Sequence, residues 1–566
     1  MIINNLSIKK RTYDAIVIGS GISGGWAAKE LCEKGLKTLV LERGRNVEHI
    51  SDYPTALTNP WEFPHRNRPT QADIDMNPIQ SKCYAFNEGT EHFFVNDSEH
   101  PYIQVKPFNW IRGYQVGGRS LTWGRQCYRW GKEDFEANAK DGFGVDWPIR
   151  YEEIAPWYSY VEKFVGISGN KDNLSSIPDG EFLPPMEMTC MEEHFRNSIK
   201  QKYENRNVII GRAANLTERV GNRGPCQYRN LCHRGCPFSG YFSSQSATLP
   251  AANATSKMTL LSNTIVHTII YDDKKQRAKG VRVMNIITHE ESEYFAKIIF
   301  LNASTINSAA ILLNSTSARF PNGLGNDSGV IGHYLMDHNF RAVITGTHEG
   351  FLDKYHDGRR PIGIYMPKFR NTGSDKQSSF IRGYGMQGAA ERLGWERGMS
   401  GNDFGAAFKE SLSIPGPWSM WLQGGGEMLP RYENKIAINK NKLDKWGFPE
   451  IEIDCQWSDN ENEMTKDMLS QGSEMLSKAG FKDIANYDTN LAPGIGIHEM
   501  GTVRMGADAK NSALNKYNQL HHCKNVFVTD GAFMCSQSYQ NPSITYMAFT
   551  ARACNFAANE LNKRNL

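Results

Sequence analysis

Long apolar runs are missing from this chain. No stretch of eighteen apolar residues occurs anywhere in its 566 residues, so no membrane-spanning helix is expected. The opening residues, MIINNLSIKKRTYD, hold neither an apolar core segment nor a twin arginine, so no secretory signal peptide is expected there. A charge excess is missing too: 64 basic residues stand against 61 acidic ones. That balance leaves no footprint for nucleic acid, which would show as clustered basic excess. Cysteines are few, eleven in all, and an odd number makes no fully paired disulfide framework. Cys32, Cys83, Cys127, Cys190, Cys455, Cys523, Cys535 and Cys554 are scattered and read as small buried apolar residues. Internal repeats and low-complexity tracts are absent.

What is present is a globular composition, 40% hydrophobic and 22% charged, in a chain long enough for two or more domains. Residues 13–44 read YDAIVIGSGISGGWAAKELCEKGLKTLVLERG. An apolar run at 15–18 predicts a buried parallel strand. Gly19, Gly21 and Gly24 follow as GxGxxG, then a helix over 26–34, then a strand over 38–41 ending on Glu42. Gly19 permits the tight turn, Gly21 lets a pyrophosphate approach the backbone, and Gly24 lets helix and strand pack closely. The helix N-terminus offers its positive end to the phosphates. Glu42 is placed to accept hydrogen bonds from a ribose, and an acid there argues against NADP.

A second glycine-rich stretch, RGYQVGGRSLTWGRQCYRW at 112–130, has no apolar strand before it. Its Gly117-Gly118 pair is equally a surface turn or a place where backbone amides approach a flat ring or a phosphate. Residues 259–304 alternate strand-like runs with polar turns and predict a meander attached to the nucleotide-binding part. Residues 341–454 mix aromatics, glycines and short strand-like segments, which suits an antiparallel sheet of a separate domain.

The C-terminal region is the most specific. GIHEMGTVRMG (496–506) and NVFVTDGAFMCSQSYQNPSITYMAFTARACNFA (525–557) join LGNDSGVIGHYLMDH (324–338), GEMLPRYENKIAI (426–438) and the N-terminal fingerprint. Together they resemble the glucose–methanol–choline oxidoreductase family. The resemblance implies an α/β chain: a Rossmann-like FAD-binding domain from residues 8–155, 226–316 and 490–564, and a substrate domain of antiparallel sheet packed with helices from 156–225 and 317–489. It implies that Gly19, Gly21, Ser23, Gly24, Glu42 and Arg43 bind the adenosine and pyrophosphate parts of FAD. Gly117, Gly118 and Ser120 would lie near the isoalloxazine, with Asp530, Gly531, Asn541, Pro542 and Thr545 completing the cofactor set. Pro542 would start a helix aimed at the flavin. No histidine lies between Gly118 and Trp130, so FAD is expected to be non-covalent. His498 occupies the family's base position, where an imidazole titrating near neutrality suits proton removal during hydride transfer. Asn541 occupies the partner position and can orient the same hydroxyl. His333, His338, His521 and His522 are expected to play no catalytic part.

Three cysteines remain. Cys226, Cys232 and Cys236 lie within CQYRNLCHRGCP, spaced C-x5-C-x3-C. A zinc site wants four ligands and usually a C-x2-C pair, and His233, adjoining Cys232, suits a shared chelate poorly. The spacing resembles that of the family's bacterial FAD-dependent sugar dehydrogenase subunits, glucoside 3-dehydrogenases among them. That resemblance implies a [3Fe-4S] cluster, one thiolate per iron, as an electron exit from FAD. It also implies a small partner subunit, a cytochrome c acceptor and a periplasmic site reached by co-export with a signal-bearing partner, with a cytoplasmic site as the alternative. Trp418 and Trp421, near Gln423, suggest a sugar or glycoside substrate: aromatic faces stack on sugar faces while amides bind hydroxyls. Oxidation at C3 of a glucoside is favoured, with C1 oxidation, an oxygen-reducing oxidase, a lyase with structural FAD and an electron-transfer scaffold as alternatives.

Overall fold

The computed structural model describes residues 11–355, 358–399 and 403–566. The first residues of the expected FAD domain, 8–10, and most of the opening segment lie outside them. The fingerprint folds as its pattern dictates. Thr12–Ile18 is a strand and Ile22–Glu33 a helix, followed by the strand Thr38–Leu41. Ala15, Ile16 and Val17 are fully buried, because a parallel strand covered on both faces has no solvent side. Thr12–Ile18 pairs in parallel with Thr38–Leu41 on one edge and with Glu291–Leu301 on the other. Met258–Leu261 extends the sheet beyond Thr38–Leu41, and Cys523–Val528 extends it beyond Glu291–Leu301. The final helix, Ser543–Asn562, packs against Ile22–Glu33 and Tyr151–Val165. This is a doubly wound α/β arrangement gathered from distant parts of the chain.

The meander is present with one difference. Thr264–Asp272, Arg277–Asn285 and the first half of Glu291–Leu301 form antiparallel hairpins. The stretch read as the meander's first strand breaks after Leu261, where Asn263 adopts a left-handed backbone (φ 54°). The piece before the break joins the parallel sheet instead.

A second sheet of six strands is antiparallel throughout. At its centre Trp418–Gly426 lies between Ala342–His348 and Tyr384–Arg392. The helix Asp459–Lys478 covers one face with Met464, Met468, Met475 and Leu476, all fully buried. Gly424 and Gly426 let that helix come close: a Cβ at either would strike a methionine of the helix. The opposite face turns toward the α/β part. A small third sheet joins Lys435–Leu443, Pro449–Asp454 and Ile103–Gln104, linking segments that the sequence assigns to different domains. Among the described residues no helix is long and apolar enough to cross a membrane.

Candidate active site

Between the two large sheets runs a cavity of about 660 Å³, within the size range of small-molecule sites. One end is the glycine turn. Gly19 holds φ +96°, and a Cβ there would collide with the Asn302 carbonyl. Gly24 lies against the Gly19 carbonyl. Gly21 differs: a Cβ there would meet nothing within 4 Å. Protein packing does not require that glycine, and the open cradle it leaves is the space a pyrophosphate would fill. Glu42 accepts hydrogen bonds from Ser20 N (3.1 Å), Ser20 Oγ (2.5 Å) and Gly44 N (2.9 Å), and burial raises its pKa. The Arg43 guanidinium lies over Tyr114 and Trp446, 4.4 and 5.1 Å from the ring centres.

The Gly117-Gly118 stretch is no surface turn. Gly117 N donates to Ser20 Oγ at 3.0 Å, and a Cβ added at Gly118 would stand 3.5 Å from the Gly21 Cα. Gly117 takes φ +88° and Gly118 φ +48°, opening the short helical turn Gly118–Leu121. Ser120 donates to the Gly117 carbonyl at 2.6 Å and accepts from Ser244 N at 3.0 Å. Asp530 accepts from Ser308 Oγ (2.5 Å) and Ala532 N (3.0 Å), and burial pushes its pKa up to about 6. Ser23, Gly118, Ser120, Asp530, Gly531 and Asn541 all line the cavity. Pro542 sits at the N-cap of the final helix, one residue before its first turn. Thr545 lies one layer back, its hydroxyl 2.8 Å from Tyr158 Oη.

Among the described residues, buried polar atoms on this lining with no hydrogen-bond partner include Arg43 Nε, Asn302 Oδ1 and His267 Nε2. Groups of that kind are costly unless a ligand satisfies them. Together with the cradle at Gly21, they fit a long, polar dinucleotide.

The other end is built on His498. Asp337 accepts from Gly494 N (2.7 Å), Gly496 N (2.8 Å) and His498 N (3.0 Å). These bonds pin a loop in which Ile497 is held at φ 60°, an unfavourable conformation for a β-branched residue. Burial and the nearby Glu499 raise Asp337 to about 7. His498 Nδ1 lies 2.9 Å from His338 Nδ1. Burial, then His338 and Arg119, hold the His498 pKa well below its ordinary value, so the ring is neutral at neutral pH. Arg119 forks onto Glu499 at 3.0 and 2.6 Å. His338, set aside on sequence, therefore touches the candidate base. His333 instead stacks on Tyr432, and His521 bonds Ser512.

Across the cavity stands the open face of the antiparallel sheet, carrying Trp421, Gln423 and Gln387. Gln387 Nε2 donates to Gln423 Oε1 at 3.2 Å. Trp421 is 36% exposed, while Trp418 is 2% exposed. Trp418 points into the second core and donates from its indole to the Phe351 carbonyl at 3.0 Å. Its expected substrate contact is thereby replaced by a packing role. Alternate residues of a strand face opposite ways, and 418 and 421 are an odd number apart.

The cysteine loop borders the same cavity through Asn230 and His233. All three thiols are free, with Cys232 buried and the others half-buried. Tyr228 N points at Cys226 Sγ (3.4 Å), Asn215 Nδ2 at Cys232 Sγ (3.8 Å) and Gly240 N at Cys236 Sγ (3.3 Å). Burial lifts Cys226 to about 11, with Cys232 and Cys236 adding to the effect, so the thiols lie within electrostatic reach of one another. Among the described residues no three His, Cys, Asp or Glu side chains converge where one metal ion would sit. His233 packs edge-on against Tyr84.

A cradle for a dinucleotide that opens onto a neutral histidine defines the class: a cofactor-dependent oxidoreductase. Comparison with known proteins gives the family. Profiles described as GMC oxidoreductase match residues 13–340 and 430–550, and the chain belongs to that family of FAD-binding enzymes acting on CH–OH groups of alcohols and sugars. It is 26% identical to 2-methyl-1,2-propanediol dehydrogenase of Mycolicibacterium austroafricanum, over 95% of this chain and 94% of the other. It is 23% identical to the fructose dehydrogenase large subunit of Gluconobacter japonicus, over 99% and 100%. Its fold is similar to that of formate oxidase from Aspergillus oryzae, with TM-score 0.62, 14% identity, and 98% and 100% of the two chains covered.

Proposed function

We propose that this chain is a sugar dehydrogenase that oxidises a ring hydroxyl, with C3 of a glucoside favoured, and hands the electrons to an external acceptor rather than to oxygen. The observation that carries the reading is the pairing of two unlike surfaces around one space. A neutral His498 and Asn541 line it, and so do an aromatic face and two amides, Trp421, Gln423 and Gln387. Rings and amides together suit a pyranoside, which has apolar faces and a hydroxyl rim. The similarity to the fructose dehydrogenase large subunit favours the same substrate class and a partner subunit.

The Gly19–Gly24 turn, Glu42 and the Gly117-Gly118 stretch would hold FAD non-covalently, and the flavin would supply the hydride acceptor. The chain's own residues do the rest. Asn541 orients the hydroxyl by hydrogen bonding. His498 takes the hydroxyl proton as the C–H bond gives up its hydride. Its suppressed pKa keeps the ring unprotonated at neutral pH. Trp421 and the amides hold the sugar against the histidine and keep bulk water from the reacting carbon.

We assign the electron exit to Cys226, Cys232 and Cys236 as ligands of a [3Fe-4S] cluster. The three cysteines sit on one loop bordering the cavity, and each sulfur has an N–H donor aimed at it. Such donors stabilise the charge of cluster-bound thiolates. The cluster would supply one-electron transfer toward a cytochrome c through a small partner subunit, at a periplasmic site.

The test is anaerobic mixing of flavin-loaded protein with a panel of saccharides. Methyl glucoside should bleach the flavin and yield a 3-keto product; it has no free anomeric hydroxyl, so bleaching by glucose alone would assign C1 instead. Purified protein should hold about three irons per chain, and Cys232→Ser should lose them. A flavin that stays oxidised with every saccharide overturns the proposal.

A further inference from the structure

The histidine pair carries more information than the presence of a base. His338 Nε2 lies 2.5 Å from the Ser538 carbonyl oxygen. A carbonyl only accepts, so the ring must donate from Nε2. His338 is fully buried, and burial pushes its pKa down to about 4, so at neutral pH it holds a single ring proton. With that proton on Nε2, its Nδ1 is a bare acceptor. Nδ1 faces His498 Nδ1 at 2.9 Å, the two rings standing 86° apart with centres 4.9 Å from each other. Two bare nitrogens at that distance would set lone pair against lone pair, so His498 must donate from Nδ1. A neutral His498 then has its other nitrogen, Nε2, unprotonated.

We propose that His338 is a positioning residue that locks His498 in the Nδ1–H tautomer, leaving the Nε2 lone pair to receive the substrate's proton. The chain of donors runs from His498 Nδ1 to His338 Nδ1, then from His338 Nε2 to the Ser538 carbonyl. Each link has one possible direction. The main chain on both sides is fixed by Asp337, the residue preceding His338, through its bonds to Gly494, Gly496 and His498. In the reaction the substrate O–H bond breaks and an N–H bond forms at His498 Nε2, while the C–H electron pair leaves as a hydride that bound FAD would accept. The resulting imidazolium keeps its Nδ1–H bond to His338, which shares the new charge. With the opposite tautomer, His498 would present a proton to the hydroxyl and could not act as a base.

The inference rests on His498 being the base, and the two can fail separately. Ring-nitrogen shifts of ¹⁵N-histidine-labelled holoenzyme, assigned with His338→Gln and His498→Ala, report the tautomer without turnover. The expected result is a protonated Nδ1 and a bare Nε2 on His498 in the resting enzyme; a protonated Nε2 overturns the proposal. In kinetics, His338→Leu removes the acceptor and should lower kcat about 10²-fold or more, with KM within about twofold because His338 does not touch substrate. His338→Gln restores both links, its amide nitrogen donating to Ser538 and its oxygen accepting from His498. It should recover at least about tenfold of that loss. Equal activity of the Leu and Gln variants overturns the proposal, and if the Leu variant does not fold, the wild-type tautomer decides alone. Full turnover by His498→Ala would instead remove the base assignment itself.

Discussion

Two glycines three residues apart separate cofactor binding from packing. Gly21 is the N-cap of the helix Ile22–Glu33 and has φ −64° and ψ −161°, an extended backbone outside the left-handed region that demands glycine. A Cβ there meets nothing within 4 Å, so Gly21→Ala costs the flavin-free protein at most about 1 kcal/mol through weaker capping. In the holoenzyme that methyl stands in the pyrophosphate cradle. Displacing the phosphates loses one charge-assisted hydrogen bond or more, each about 1.5–3 kcal/mol, so the dissociation constant for FAD rises about 10- to 150-fold. Gly24→Ala behaves in the opposite way. Its Cβ falls inside the Gly19 carbonyl and 3.3 Å from the Asn302 Cβ, and backbone cannot rotate aside. The overlap costs at least about 1–3 kcal/mol, exceeding the ~1 kcal/mol of helix propensity gained. Thermal unfolding of flavin-depleted protein should therefore be early for Gly24→Ala and near wild type for Gly21→Ala. FAD titration, followed by quenching of flavin fluorescence, should be weakened by Gly21→Ala. Wild-type FAD affinity in Gly21→Ala, or equal destabilisation by both, would refute the assignment of the cradle.

Arg119→Gln should move the acid limb of the kcat/KM profile to higher pH. The guanidinium helps to depress the His498 pKa, and removing it also leaves the carboxylate of the neighbouring residue Glu499 without its ion-pair partner. Both changes favour the imidazolium, so the neutral base requires a higher pH; a limb that stays put or moves down counts against His498 as the titrating group. Trp418→Ala should lower stability by about 3–5 kcal/mol, as for other buried tryptophans, whereas Trp421→Ala should leave the melting temperature near wild type and raise KM for the saccharide. Reversal of that pattern would show that the sheet presents its other face to substrate.

Much of this organisation is legible from residue pattern because its causes are local. The βαβ unit announces itself through glycine spacing and an apolar run buried on both faces, and the structure shifts its ends by only a few residues. Gly117-Gly118 is ambiguous in sequence because its purpose is a contact with Ser20, 97 residues away, which no local pattern encodes. His338 goes unrecognised for the same reason: its neighbour His498 is 160 residues downstream, and one histidine among fifteen carries no mark of its partner. Trp418 is the opposite case. Strand alternation alone separates it from Trp421, and counting the period through 418–426 would have found the difference.

The parallel sheet has a consequence for how the molecule is made. Its strands come from residues 12–18, 38–41, 258–261, 291–301 and 523–528, so the central strand near position 300 waits for a neighbour synthesised more than two hundred residues later. Asp530, Asn541 and the final helix arrive later still. On the ribosome the glycine turn forms early but has no closed pocket to serve. A closed flavin pocket thus exists only once the last helix has been made, and a chain cut short before that helix should not retain FAD.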